Sequence, residues 1–205
     1  MPTPRRTLLK RLATFGAVAL FPGPLWARTQ TPRAAEGPFY PLPDMRRRDV
    51  DNDLVRIAGQ VREAGGEVMT LRGQITDAAG TPLSGLRIEI WQCDVEGRYM
   101  HPGDRRSTGH DPAFQGFGHD VTDARGGYRF RTIKPTQYPG RTPHIHVKVL
   151  DAKRTLLTTQ FYLDGHPANA SDGLYRRMTD AEARAVTMRL SPADPDPEAV
   201  VNVVV

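Results

Sequence analysis

Residues 127–150 read GYRFRTIKPTQYPGRTPHIHVKVL. Two segments rich in β-branched and aromatic residues, Gly127–Ile133 and His144–Leu150, alternate with period two and flank a loop stiffened by Pro135, Pro139, Gly140 and Pro143. The same rhythm recurs in TLRGQIT (70–76), LRIEIWQ (86–92) and TLLTTQFY (155–162), with the turn signals DAAGTPLSG (77–85) and DARGG (123–127) between strands. This pattern predicts an all-β chain, a β-sandwich of two mixed or antiparallel sheets, with PEAVVNVVV (197–205) as one further strand. Helix is sparse. TDAEARA (179–185) opens on a capping threonine, Thr179, and predicts about two turns.

The 205 residues suit one domain rather than two. Residues 28–68, rich in Pro, Arg, Asp and Gly, predict an irregular N-terminal arm and linker, and residues 69–205 the sandwich. Residues 1–27 hold the pair Arg5 and Arg6, an apolar run from Leu12 to Phe21 and Ala27 at a candidate cleavage site, the pattern of a twin-arginine signal peptide. The expected location is periplasmic or secreted, reached through the twin-arginine export machinery. The apolar run is about half of the roughly 20 residues a spanning helix needs, so no permanent membrane span is expected. Of the 28 Lys and Arg residues, four lie in this leader, which has no acid; the other 24 face 23 Asp and Glu, and a general nucleic-acid surface is excluded. Cys93 is the only cysteine, so no intramolecular disulfide forms.

In a strand, His144 and His146 share a face with Cα atoms about 6.5 to 7 Å apart. Two imidazoles so placed can converge on one ion, and the same spacing also suits two polar residues on a wet face. Tyr138 lies in the loop just ahead of them, and Tyr99 lies in DVEGRYMHPGD (94–104), after the strand that holds Trp91. Taken singly, each tyrosine suits a sandwich corner, and Trp91 reads as core. His101, His110, His119 and His166 sit in polar, Gly- or Pro-rich stretches and read as solvated loop residues.

Together, GPFY (37–40), IEIWQCDVEGRY (88–99), FQGFGHDVTDARGGYRFRTIKPTQYPGRTPHIH (114–146) and TTQFYLDG (158–165) resemble the intradiol ring-cleavage dioxygenases, nearest the protocatechuate 3,4-dioxygenase type. The resemblance runs from about Glu36 to Asp172. It implies an enzyme that uses O2 to open a catechol-type ring between its two hydroxylated carbons, giving a muconate-type diacid. It implies one Fe(III) per chain on Tyr99, Tyr138, His144 and His146, with Tyr138 the ligand that substrate displaces. Arg141 matches the family's active-site arginine, which stabilises charge on the ring, and Gln160 a polar residue near the substrate. Pro38 and Phe39 match positions that line the pocket, in the same chain or a neighbouring one. In the protocatechuate branch two related chains assemble, so a homo-oligomer or a mixed assembly is also implied.

The donor types give a second reason for iron. Phenolate is a hard anionic oxygen that favours Fe(III), whereas imidazole suits iron, zinc and copper alike. Two other readings stand beside this one. LRGQITDAAGTPLSGLRIEIW (71–91) alone suits a non-catalytic exported sandwich that binds carbohydrate or protein, and a zinc or copper enzyme is compatible with the same fold. Arg105 and Arg106 read either as a solvated pair or as the receiver of a substrate carboxylate.

Overall fold

A computed structural model describes residues 28–46, 51–106 and 109–205; the leader with Arg5 and Arg6 lies outside the described residues. In chain order the strands are β1 (Val68–Thr76), β2 (Arg87–Trp91), β3 (Phe117–Val121), β4 (Gly127–Ile133), β5 (His144–Asp151), β6 (Arg154–Leu163), β7 (Thr187–Met188), β8 (Leu190–Ser191), β9 (Glu198–Val200) and β10 (Val203–Val204). They form two five-stranded sheets. In the first, β1 pairs antiparallel with β4 on one edge and parallel with β9 and β10 on the other, and β8 lies beyond β9. The second runs β3-β2-β5-β6-β7, antiparallel except for β6 with β7.

Period-two alternation decides which side chains enter the space between the sheets. Ile88 and Ile90 of β2, Ile145, Val147 and Val149 of β5, and Leu157 and Phe161 of β6 join one cluster with Met69, Leu71, Ile75 and Phe130 from the first sheet. Each such side chain contributes about 1.5 to 3 kcal/mol on burial. The intervening residues Glu89, Trp91, His144, His146 and Gln160 therefore point to the opposite face of the second sheet, yet none is more than 2% exposed. Loops and the arm cover that face, building a smaller cluster of Trp91, Cys93, Tyr99 and Phe117 against which Phe39, Tyr40 and Tyr138 pack.

Residues 51–54 stitch the two sheets together along one side. Arg131 N–H donates to Asn52 O and Leu54 N–H to Arg131 O at β4, while His119 N–H donates to Asp51 O at β3, each at 2.8 Å. Gly118 allows this approach, because a Cβ there would lie 2.5 Å from Asp51 O. Leu54 and Val55 are fully buried, so the stretch expected to be linker supplies part of the core.

Two local expectations are corrected. The tail is two short strands rather than one: Val201 O turns toward Gly73 and accepts the Tyr128 hydroxyl at 2.6 Å, and the Asn202 side chain accepts Gln74 N–H at 3.0 Å in place of backbone. His119 is a half-buried residue of β3 and not a solvated loop residue. The helix α1 (Asp180–Ala185) forms as its capping residues predict, with Thr179 and Glu182 making a reciprocal capping box. Among the described residues no helix is long and apolar enough to cross a membrane.

Candidate active site

The register of β5 sets His146 opposite Trp91 on β2 and Gln160 on β6, and His144 opposite Tyr162. The two Nε2 atoms are 3.1 Å apart. His144 Nδ1 lies 2.7 Å from Thr142 O, and since a carbonyl only accepts, the proton sits on Nδ1 and Nε2 presents a lone pair. Burial first and the Arg141 charge second pull the His144 pKa down to about 4. Burial, then His144, then Arg141 push His146 well below the usual imidazole range. Both rings are therefore neutral near pH 7, the form a metal requires.

The two tyrosines close over these rings. Tyr99 is 3% exposed, its ring centroid lies 5.4 Å from that of Tyr138 and 6.1 Å from that of His146, and Phe39 stacks on it at 4.6 Å. Its hydroxyl is buried and has no hydrogen-bond partner among the described residues. Tyr138 lies 5.5 Å from His144, ring to ring. Burial raises both phenols above their ordinary pKa, and the Arg141 charge opposes it. The Tyr99 turn is held by Asp104, which accepts Arg98 Nη1 at 2.9 Å and Tyr99 N–H at 3.0 Å. Hydrogen bonding, first from Arg106, lowers the Asp104 pKa to about 2. Gly97, with φ +72°, lets this turn approach the Tyr138 loop, because a Cβ at Gly97 would lie 2.6 Å from Gln137 O.

Arg141 is fixed on three sides. Its Nε donates to Asp172 Oδ2 at 2.7 Å, Nη2 to Gln160 Oε1 at 2.6 Å, and Nη1 lies 3.5 Å from the Tyr138 hydroxyl. Gln160 also accepts the Tyr162 hydroxyl at 2.9 Å and donates to Ala35 O of the arm at 3.0 Å. The guanidinium thus stands preorganised beside Tyr138.

Among the described residues no three His, Cys, Asp or Glu side chains group as a metal site, so the imidazole pair needs donors of another type. The adjacent phenols provide them. An orphaned buried hydroxyl costs about 1 to 3 kcal/mol, which a cation shared by Tyr99 and the two Nε2 lone pairs would relieve. Two phenol oxygens with two neutral imidazoles fit ferric iron in both charge and hardness.

Residues 35–198 match the family described as Dioxygenase. The chain is similar to the protocatechuate 3,4-dioxygenase beta chain of Burkholderia cepacia, 35% identical over 162 residues that cover 75% of this chain and 68% of the relative. The chain belongs to the intradiol dioxygenase family. Intradiol dioxygenases are iron-dependent enzymes. This dioxygenase is also similar to catechol 1,2-dioxygenase of Candida albicans, 32% identical over 166 residues covering 71% of this chain and 51% of that one. It spans about half the length of such catechol and hydroxyquinol relatives. Among solved structures, the dioxygenase domain of a dioxygenase and carbohydrate-binding fusion from Streptomyces sp. SirexAA-E aligns with a TM-score of 0.65 and 32% identity, over 86% of this chain and 98% of that one.

In this dioxygenase the structure brings Tyr99, Tyr138, His144, His146, Arg141, Gln160 and Phe39 into one constellation, whereas Pro38 is exposed. Phe39 packs against Tyr99 and Tyr138 of its own chain. Arg106 is committed to Asp104, while Arg105 is exposed at the rim of a solvent-open cavity of about 370 Å³ that Phe39, Tyr138 and Pro139 also line. A second cavity of about 320 Å³, under Pro32–Ala35 and bordered by Gln160 and Tyr162, contains none of the four candidate metal donors. Sequence reasoning missed Asp172, Thr142 and Tyr162, which hold Arg141, His144 and Gln160. Asp172 lies 31 residues from Arg141, whereas Thr142 and Tyr162 each lie two residues from the partner they hold, a spacing that was there to be read.

Proposed function

We propose that this intradiol dioxygenase binds one ferric ion through Tyr99, Tyr138, His144 and His146 and opens a catechol-type ring between its hydroxylated carbons, outside the cytoplasm. The observation that carries the reading is the convergence of two neutral imidazole Nε2 atoms, 3.1 Å apart, beside a buried tyrosine hydroxyl with no partner among the described residues. When bound, the ferric ion supplies a Lewis acid that draws electron density from the catecholate and makes the ring reactive toward O2. Tyr138 is the more exposed phenol and the one beside Arg141, so of the two residues that would hold the ion it is the one that would yield to substrate and could take up a catechol proton. Tyr99, sealed by Phe39, stays. The Arg141 charge, anchored by Asp172 and Gln160, steadies negative charge building on the ring. Phe39 meets both tyrosines of its own chain, which supports a pocket wall supplied by the arm of the same chain. The leader pattern supports export of the folded protein.

Metal analysis, a visible spectrum and oxygen uptake with catechol, 4-methylcatechol, hydroxyquinol and protocatechuate test this. The expected protein is red-brown, holds about one iron per chain and consumes O2 with at least one of these catechols. Stoichiometric zinc in a colourless protein refutes the ligand set, and iron-loaded protein inert toward every catechol refutes the reaction. Replacing Arg5 and Arg6 together by Lys should leave red, uncleaved protein in the cytoplasm.

A further inference from the structure

The two histidines are held in different ways. The ring of His144 is oriented by its hydrogen bond to Thr142 O. His146 Nδ1 is buried and has no hydrogen-bond partner among the described residues, although a metal-binding imidazole ordinarily anchors its second nitrogen to a carbonyl or carboxylate. What restrains His146 is packing. Trp91 stacks on it at 4.8 Å with an interplanar angle of 10°, and the arm passes the ring at Gly37, where a side chain would crowd it: a Cβ there would lie 3.2 Å from His146 Cε1. Trp91 is in turn buttressed by Tyr40, which meets its ring edge-on at 4.9 Å. The Tyr40 hydroxyl donates to Glu89 Oε2 at 2.5 Å, and Glu89, 2% exposed, also accepts Arg87 Nε at 2.7 Å. The ammonium of Lys148 stands 4.3 Å above the Tyr40 ring and pairs with Glu36 at 2.5 Å, closing the arm around Gly37.

We propose that Trp91, braced by Tyr40 and through it by the buried carboxylate of Glu89, is the positioning residue of the His146 imidazole, replacing the missing hydrogen bond at Nδ1. The chain Glu89, Tyr40, Trp91, His146 couples the arm to the site: the arm must dock before the second imidazole is set. The stack constrains the ring plane. This inference rests on the metal reading for its purpose but not for its geometry, so the two are tested separately.

The first measurement uses metal-free protein with labelled histidine side chains. The ring current of Trp91 should move the His146 Cε1 proton upfield in one sharp signal; in Tyr40→Phe and Trp91→Phe that signal should shift back or broaden, while His144 stays put. Glu89→Gln, which still offers an acceptor to Tyr40, should keep the wild-type signal. Tyr128→Phe, in the other sheet, lowers stability without touching this chain and should leave the signal unchanged. The second measurement is iron release to a chelator, expected to be about 10 to 100 times faster in Tyr40→Phe and Trp91→Phe and unchanged in Tyr128→Phe. His146 signals and release rates like the wild type in both Tyr40→Phe and Trp91→Phe would overturn the proposal. A wild-type protein that never acquires ferric tyrosinate colour refutes the ligand set instead, and the resonance test of positioning still reads out.

Discussion

Replacing Gly97 by alanine probes the contact that brings Tyr99 and Tyr138 together. Two costs add at this position. An L-residue in the left-handed region, here at φ +72°, costs about 1 to 2 kcal/mol. The new Cβ would also stand 2.6 Å from Gln137 O, 0.4 Å inside the 3.0 Å floor of real contacts, so the Tyr138 loop must retreat or strain. Overpacking of this kind costs about 1 to 3 kcal/mol. Gly140 supplies the control: it lies in the same loop with φ +82° and nothing within 4 Å of a built Cβ. Gly140→Ala should therefore lose about 1 to 2 kcal/mol, and Gly97→Ala about 2 to 5 kcal/mol. Urea unfolding of metal-free protein, with unchanged m-values, measures both. Iron-loaded Gly97→Ala should also show a displaced visible band, because its two phenols sit further apart. Equal stability of the two variants would refute the idea that close backbone approach at Gly97 holds the tyrosine loops in register.

Acid should weaken the metal-free protein in two separate windows. With a folded pKa of about 4 against the usual imidazole value near 6.5, His144 stays neutral while the unfolded chain binds a proton, so its contribution falls by about 3 kcal/mol as pH drops from about 6.5 to 4, and His146, also held neutral by burial, adds to the loss below pH 6.5. Asp104, depressed to about 2, contributes stability that is present above pH 3.8 and lost toward pH 2. A stability profile flat from pH 7 to 4 would contradict the buried neutral His144. Arg141→Lys keeps the charge but cannot reach Asp172, Gln160 and Tyr138 at once; turnover should fall about 100-fold with the iron colour retained, and full activity would show that the three-sided anchoring is not used.

The sandwich and the imidazole pair are legible because both depend on local periodicity. His144, Ile145 and His146 announce in three letters which side chains enter the core and which face the arm. The tyrosines become legible only as a set, since Tyr99 reaches His146 through the Gly97 turn and not through any spacing. Asp172 lies 31 residues from Arg141, and Glu89 lies 49 from Tyr40, separations over which no sequence pattern signals a contact. Leu54 and Val55 were hidden for another reason: two apolar residues among Arg, Asp and Asn resemble a linker until the edges of β3 and β4 claim the backbone from Asp51 to Leu54. The split tail reflects Gly73, whose missing side chain admits the Val201 carbonyl from the break between β9 and β10, more than a hundred residues away.

The arm is also fastened to the last strand. Thr31 N–H donates to Val204 O at 3.1 Å, and Val204 N–H donates to the Thr31 hydroxyl at 2.9 Å. These residues are 173 positions apart, which at ribosomal speeds of roughly 5 to 20 residues per second separates their synthesis by about 10 to 30 seconds. Throughout that interval the nascent chain holds Gly37, Phe39 and Tyr40 but not the clasp that draws the arm across the sheet. Both imidazoles emerge well before the clasp does. A polypeptide stalled before Val204 would hold the arm only by its earlier bonds, Ala35 to Gln160, Glu36 to Lys148 and Tyr40 to Glu89, and would lack the fastening at Thr31.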